Sequence, residues 1–428
     1  MRIVNLTEET KNNILQGLLK RSPSQYKEYE RTVTEIIENV KAEKDKAVFE
    51  LTNKFDKWDI NASNVKVTRE EIDKAYSEVE PKLIEVLNEA AENIRVFHRK
   101  QLRDSWFFTK EDGSILGQKI TSMDSVGCYA PGGKAFYPSS VLMNIIPAKV
   151  AGVKRIALAT PAVNGIVSPV TLVAADIAGV DEIYKVGGAQ AVAAFAFGTE
   201  SIKKVDKITG PGNIFVALAK KAVFGQVGID SIAGPSEILV IADDSANPKF
   251  VAADLLSQAE HDELASAILL TDSKEFALKV NEEVIAFTEK LERKDIINKS
   301  LDNYGYILVA DSIDDCVDAA NEIASEHLEI ITRDAARVMS AVRNAGAIFI
   351  GPYSSEPLGD YFAGPNHILP TNGTAKFFSP LNVDDFIKKT SIISYSKEGL
   401  SNVHEQIEYF AKAEGLTAHA NSIKTRFE

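Results

Sequence analysis

RIALATPAVNGIVSPVTLVAADIAGVDEIYKVGGAQAVAAFAFGTESIKKVDKITGPGNIFVALAKKAVF, residues 155–224, decides the fold. The short runs RIALATP, EIYKVGG and KITGPGN alternate in it with VTLVAADIAGV, AQAVAAFAFG and IFVALAKKAVF, whose apolar residues recur at helical spacing. Strands alternating with helices at this interval predict βαβ units and a parallel sheet. Glycine-bearing turns follow the strands, which is where open α/β sheets place their ligand loops.

A second cycle begins at Ser236. SEILVIAD, SAILLTD, GYILVAD and GAIFIG read as strands; PKFVAADLLSQAEH, EFALKVNEEVIAFTEKLE and DDCVDAANEIASEHLEII read as helices. Two similar α/β domains with a cleft between them are the economical architecture. Upstream, residues 1 to about 104 carry helical periodicity and no evident chemistry, and His98, between Phe97 and Arg99, has a structural or surface role. From about residue 113, SILGQKITSMDSVGCYAPGG reads as strands ending in a Gly/Pro turn. After Gly351 the chain becomes a loop rich in Gly, Pro, Ser and Asn, and long ordered loops are usually functional. A helical tail follows. The expected division is an N-terminal helical region (1–112), a first α/β domain (113–235), a second (236–380) and a tail (381–428).

Composition excludes several classes. A chain of 428 residues is too long for one ordinary core. The net charge of −13 argues against nucleic acid, which needs a basic face. No apolar run reaches the length of a membrane span, and the N-terminus lacks the apolar core of a signal peptide. Two cysteines, Cys128 and Cys316, form neither a disulfide framework nor a metal cluster. A cytoplasmic enzyme is expected.

Chemistry collects around the histidines. Gln258 and His261 fall at i and i+3 of LLSQAEH, a spacing that suits two ligands of one ion or simply a polar helix terminus. Asp360 and His419 could complete an N/O set suited to Zn²⁺, Mn²⁺ or Co²⁺, although HExxH is absent. Glu326 and His327 are adjacent. Either Glu326 is solvated beside a helix-end histidine, or the two residues handle two different protons. On a helix they would diverge by about 100° and could not face one atom unless the helix had ended. The turns VGCYAPGGKAFYPS, KVGGAQAV and TGPGN open helix N-termini, which favour phosphate, but none is GxGxxG.

The segments VGCYAPGG (126–133), GGAQAVAAFAFGT (187–199), VDKITGPGN (205–213), AGPSEILVIAD (233–243), ADLLSQAEHD (253–262), ASEHLEI (324–330), GDYFAGPNHILPT (359–371) and EGLTAH (414–419) together resemble histidinol dehydrogenase. The resemblance runs from about residue 20 to the C-terminus. It implies two incomplete, mutually related Rossmann-like domains with parallel sheets. It implies NAD- and zinc-dependent oxidation of L-histidinol to L-histidine through the aldehyde, the last step of histidine biosynthesis. It also implies a homodimer with an intertwined tail. Carried over residue by residue, the metal set is Gln258, His261, Asp360 and His419, with Glu326 activating water and His327 serving the alcohol. Ser236 and Glu414 join these ligands and His327 around the substrate, with His367 as a neighbour; Tyr129, Gln190 and Asn213 match the NAD contacts. Neither cysteine is expected to be a nucleophile.

Two rivals have distinct signatures. A zinc hydrolase using Glu326 on water would need no phosphate-friendly loops and would give no nicotinamide absorbance change. A non-catalytic binder on the same scaffold would bury a costly set of unsatisfied ionisable groups.

Overall fold

The computed structural model describes residues 1–19, 27–132 and 137–428, so residues 133–136 of the turn VGCYAPGGKAFYPS lie outside the described residues. The chain divides into two compact units. One comprises Met1–Gln101 and Met123–Phe386; the other comprises Leu102–Ser122 and Ile387–Glu428.

The larger unit contains two parallel sheets. The first runs, in space, Glu182–Tyr184, Arg155–Ala159, Ser125–Tyr129, Lys207–Thr209, Gly228–Ile229. Numbered by chain order its strands lie 3-2-1-4-5, the Rossmann order short of its sixth strand. The second sheet repeats that order with Gly305–Val309, Ser266–Thr271, Glu237–Ala242, His327–Ile331 and Ala347–Ile350. The α/β reading with two incomplete Rossmann-like sheets is borne out. One expectation is corrected: residues 2–5 are not helical. Arg2–Asn5 pairs in parallel with Gly305–Val309 and takes the edge of the second sheet. RIVN tucks Ile3 and Val4 partly away and leaves its two ends exposed, and its backbone is satisfied by pairing along the sheet edge.

Both sheets are buried on both faces, which is why their strands read as nearly continuous apolar runs. Val126 and Cys128 enter the core on one face of the first sheet, and Tyr129 enters the opposite one. The N-terminal helices supply much of this cover: Lys27–Glu43 lies over Gly188–Phe197 and Ile214–Val223, and Pro81–Arg99 over Pro138–Val150. His98 is structural, as expected. It is fully buried, with Nδ1 2.7 Å from Gln101 Oε1 and Nε2 3.5 Å from the Asn366 amide. Helix starts follow local chemistry. Pro248 and Pro169 stand in the first turns of their helices, and Thr68 with Glu71 forms a capping box.

The smaller unit has an antiparallel sheet, Ile387–Ser394 with Ile115–Ser122 with Trp106–Thr109, followed by the helices Lys397–Ser401, His404–Ala413 and Thr417–Lys424. Among the described residues no helix is long and apolar enough to cross a membrane.

Candidate active site

The helix expected over residues 314–331 stops early. It spans Ile313–Ile323 and ends on Ala324, which takes the left-handed conformation at φ 52°. Ser325 and Glu326 then lead directly into the strand His327–Ile331. This corrects the expectation of one helix through HLEII. It also removes the geometric objection to a shared site, because the helix has ended before the pair. Glu326 Oε2 lies 3.6 Å from His327 Nδ1, and both side chains are buried.

The backbone of one residue, Glu237, grips both. The Glu237 N–H donates to Glu326 Oε2 at 2.8 Å, and His327 Nδ1 donates to the Glu237 carbonyl at 3.0 Å. A carbonyl can only accept, so Nδ1 carries hydrogen and Nε2 is the nitrogen left to exchange a proton. Nε2 faces Asp360 Oδ1 at 3.6 Å. Burial pushes the Glu326 carboxyl up to about 8. Burial opposes charge on His327, yet the carboxylates of Glu326 and Asp360 outweigh it and raise the imidazole.

Asp360 belongs to the short helix Glu356–Tyr361. Glu356, one turn earlier, joins His327 and Asp360 in a group whose ligand atoms all lie within 4.8 Å of one another. The Glu356 N–H donates to Glu329 Oε1 at 2.8 Å, and Ser257 Oγ donates to Glu356 Oε2 at 3.0 Å. Sequence reading missed Glu356; its i, i+4 spacing from Asp360 was the available signal.

Gln258 is the penultimate residue of the helix Pro248–Ala259. Its side chain is fully buried, and neither amide atom has a hydrogen-bond partner among the described residues. His261 lies one residue beyond the helix cap, held by its N–H on the Gln258 carbonyl at 3.2 Å. The residue is exposed overall, yet desolvation of its ring lowers its pKa, against the pull of Asp360. His367 has both nitrogens engaged: Nδ1 donates to the Asp360 carbonyl at 3.0 Å, and Nε2 accepts from Ser140 Oγ at 3.2 Å. Burial lowers the pKa of this ring, against the pull of Asp360. It holds the Asp360 turn in place.

Ser236 immediately precedes the strand Glu237–Ala242, so Ser236, Glu326 and His327 all stand at the amino edge of the second sheet. Glu414 and His419 belong to the smaller unit and are exposed on its terminal helices.

The first sheet does place its matched residues at carboxyl ends. Tyr129 closes its strand, and its hydroxyl accepts the Gly188 N–H at 3.2 Å; burial pushes the phenol up to about 12. Gln190 is buried in the first turn of Gly188–Phe197. Asn213 caps Ile214–Val223, its Oδ1 accepting from Phe215 and Val216 at 3.1 and 3.2 Å. Tyr129 and Asn213 flank the switch point where strand order reverses, the usual ligand crevice of this topology. The loop between them needs glycine at 210: φ is +112°, and a Cβ would stand 2.1 Å from the Tyr129 carbonyl oxygen. Two buried charges, not foreseen from sequence, clamp it. Gly210 N–H donates to Asp230 Oδ2 at 2.8 Å, and Lys220 Nζ donates to the Gly210 carbonyl at 2.9 Å. The cysteines are buried with thiols pushed up to about 12 by burial, unsuited to nucleophilic attack.

This geometry meets a family. The model of the family described as histidinol dehydrogenase matches residues 19–427. The chain belongs to the histidinol dehydrogenase family. It is accordingly an oxidoreductase. The histidinol dehydrogenase of Clostridium acetobutylicum is 57% identical over 414 residues, 96% of either chain. That of Caldanaerobacter subterraneus subsp. tengcongensis is 55% identical over 427 residues, covering 100% of this chain and 99% of the relative. The crystal structure of histidinol dehydrogenase from Elizabethkingia anophelis superposes with a TM-score of 0.94 at 39% identity, covering 100% of this chain and 98% of that one.

Proposed function

We propose that this enzyme oxidises L-histidinol to L-histidine through the bound aldehyde, with zinc and two successive NAD⁺ molecules, as the last step of histidine biosynthesis. Residues 113–235 would bind NAD, 236–380 would carry the metal and the proton-transfer residues, and 381–428 would complete the site of a partner subunit.

The Gln258 carboxamide carries the metal reading. A fully buried amide with neither atom bonded is costly unless a ligand satisfies it. His261 and Asp360 are close enough to act on each other electrostatically, and with Gln258 they offer N and O donors of the kind zinc takes. His419 is the proposed fourth ligand. When bound, the ion would take the imidazole and amine of histidinol as further donors and so orient the substrate. NAD would accept hydride at the first sheet's crevice, where the Gly210 loop and the glycine-rich helix start bring backbone close to a ligand.

The chain's own residues then move protons. His327 Nε2 takes the alcohol proton, with Nδ1 locked on the Glu237 carbonyl. With the Asp360 charge committed to the ion, the imidazole loses part of its reason to hold a second proton. Glu326, fixed by the Glu237 N–H, takes the proton from the water that adds to the aldehyde. Ser236 and Glu414 contact the substrate, and positioning of the reacting carbon supplies much of the rate.

The test is stoichiometric. Two NADH should form per histidinol consumed, chelator should abolish turnover while leaving the fold intact, and zinc should restore it. One NADH per histidinol, or chelator-resistant turnover with no metal in the protein, overturns the proposal.

A further inference from the structure

We infer that Asp56, with Thr52 and Trp58, forms the pocket for the adenosine ribose of the dinucleotide, an assignment that rests on the NAD reading above. The first observation is placement. Residues 65–67 run antiparallel along the strand Glu182–Tyr184: Lys66 stands opposite Tyr184, Val67 N–H donates to the Ile183 carbonyl at 2.9 Å, and Lys185 N–H donates to the Val65 carbonyl at 2.8 Å. Going back along the chain from residue 65 therefore leads toward the carboxyl ends of the first sheet. Trp58 arrives there against Gly165, in the turn after Arg155–Ala159, where a Cβ would come within 2.9 Å of its ring. Asp56 is near enough to Tyr129 for its charge to help hold the phenol up.

The second observation is chemical. Thr52 Oγ1, Asp56 Oδ2 and Trp58 Nε1 are all buried and have no hydrogen-bond partner among the described residues. Thr52 and Asp56 lie four residues apart on the helix Asp45–Asp56 and share a face. Burial alone pushes Asp56 up to about 6, so this carboxyl lacks donors. The set offers a carboxylate acceptor, a hydroxyl able to donate or accept, and an indole donor. A vicinal diol is complementary: two O–H groups can donate to Asp56 while an oxygen accepts from Trp58. In a 3-2-1-4 nucleotide sheet an acidic residue near the end of the second strand takes the ribose diol. Here RIALATPAVNG, residues 155–165, contains no acidic residue. Asp56 brings one to that place from the N-terminal region. A 2′-phosphate would meet the carboxylate head on, so the same residue selects NAD over NADP.

The experiment titrates NAD, AMP and NADP calorimetrically into the zinc-loaded enzyme and its Asp56→Asn and Asp56→Ala variants, with histidinol binding and zinc content as controls. Asp56→Ala should weaken NAD and AMP by about tenfold to a hundredfold, the range for a hydrogen bond to a charged group. Asp56→Asn, which keeps the shape and one acceptor, should lie between and should narrow the preference for NAD over NADP. Histidinol and zinc should bind as in the wild type. Unchanged NAD affinity in folded Asp56→Ala overturns the assignment, as does a loss seen with NAD but not with AMP. A wild-type enzyme that binds no NAD overturns the underlying cofactor reading instead.

Discussion

At the scale of residues, Glu326 and His327 share the backbone N–H and carbonyl of Glu237, and this division predicts two separable defects. Glu326→Gln keeps an acceptor for the Glu237 N–H but cannot take a proton, so it should slow aldehyde oxidation more than alcohol oxidation. His327→Asn should slow alcohol oxidation by about 10²–10⁴-fold, the usual weight of a general base. Supplying histidinaldehyde directly separates the steps; equal defects with both substrates would refute the division. The pair was legible because its residue types stand side by side in ASEHLE. Glu356 was not, since its importance comes from Ser257 and Glu329, brought to it only by folding. Glu329 shows the same limit and yields a stability prediction. Burial, and then the Asp254 charge, raises its carboxyl from 4.5 to about 9. A raised acid contributes stability below its unfolded pKa and loses it as pH rises through the folded value. Glu329→Gln remains neutral, donates to Asp254 and still accepts from Glu356. Its melting temperature should converge with the wild type toward pH 4.5, exceed it increasingly as pH rises to about 9, and gain nothing further above that. Parallel curves of melting temperature against pH would refute the assignment.

At the scale of elements, Asn213 combines two jobs. As the cap of Ile214–Val223 it satisfies two backbone N–H groups, and it stands on the loop proposed to meet NAD. Asn213→Ala should lower stability without cofactor by about 1 kcal/mol, the usual weight of a cap. Asn213→Asp keeps the cap and should keep that stability, yet it sets a negative charge before the phosphates and should weaken NAD binding. Denaturant unfolding of the apo-enzyme with NAD titration of both variants checks this; wild-type NAD affinity in Asn213→Asp would remove Asn213 from the cofactor site. The alternation of strand and helix over residues 155–224 was readable because the parallel strands are buried on both faces and flanked by amphipathic or apolar helices. Two of the boundaries that escaped have plain causes. The helix entering Glu326 was read through to Ile331 because NEIASEHLEII keeps apolar residues at both helical and strand spacing; Ala324, with no glycine to announce a stop, breaks it. Arg2–Asn5 is too short to show a period, and its partner Gly305–Val309 is some three hundred residues away.

At the scale of the molecule, two proposed site residues, Glu414 and His419, belong to a unit that exposes many large apolar side chains. Its sheet leaves Trp106, Phe107, Phe108 and Ile393 exposed, and the helix His404–Ala413, which buries none of its residues, exposes Tyr409 and Phe410. Exposed apolar area of this kind fits an interface with a second copy. We propose that the tail is exchanged between subunits, so that each site takes His419 and Glu414 from its partner, a low-cost route to a twofold dimer. Glu326→Gln and His419→Asn are then lesions of one site supplied by different chains. In a mixed dimer one site carries both lesions and the other carries neither. Random association makes half the dimers mixed and half of their sites intact, so co-refolded variants should recover up to about a quarter of wild-type activity. The unmixed variants should show none of that gain, and recovery should follow the heterodimer fraction measured by tagged pull-down. Verified heterodimers without recovery would return His419 to its own subunit's site and leave the exposed aromatic face without a catalytic reason.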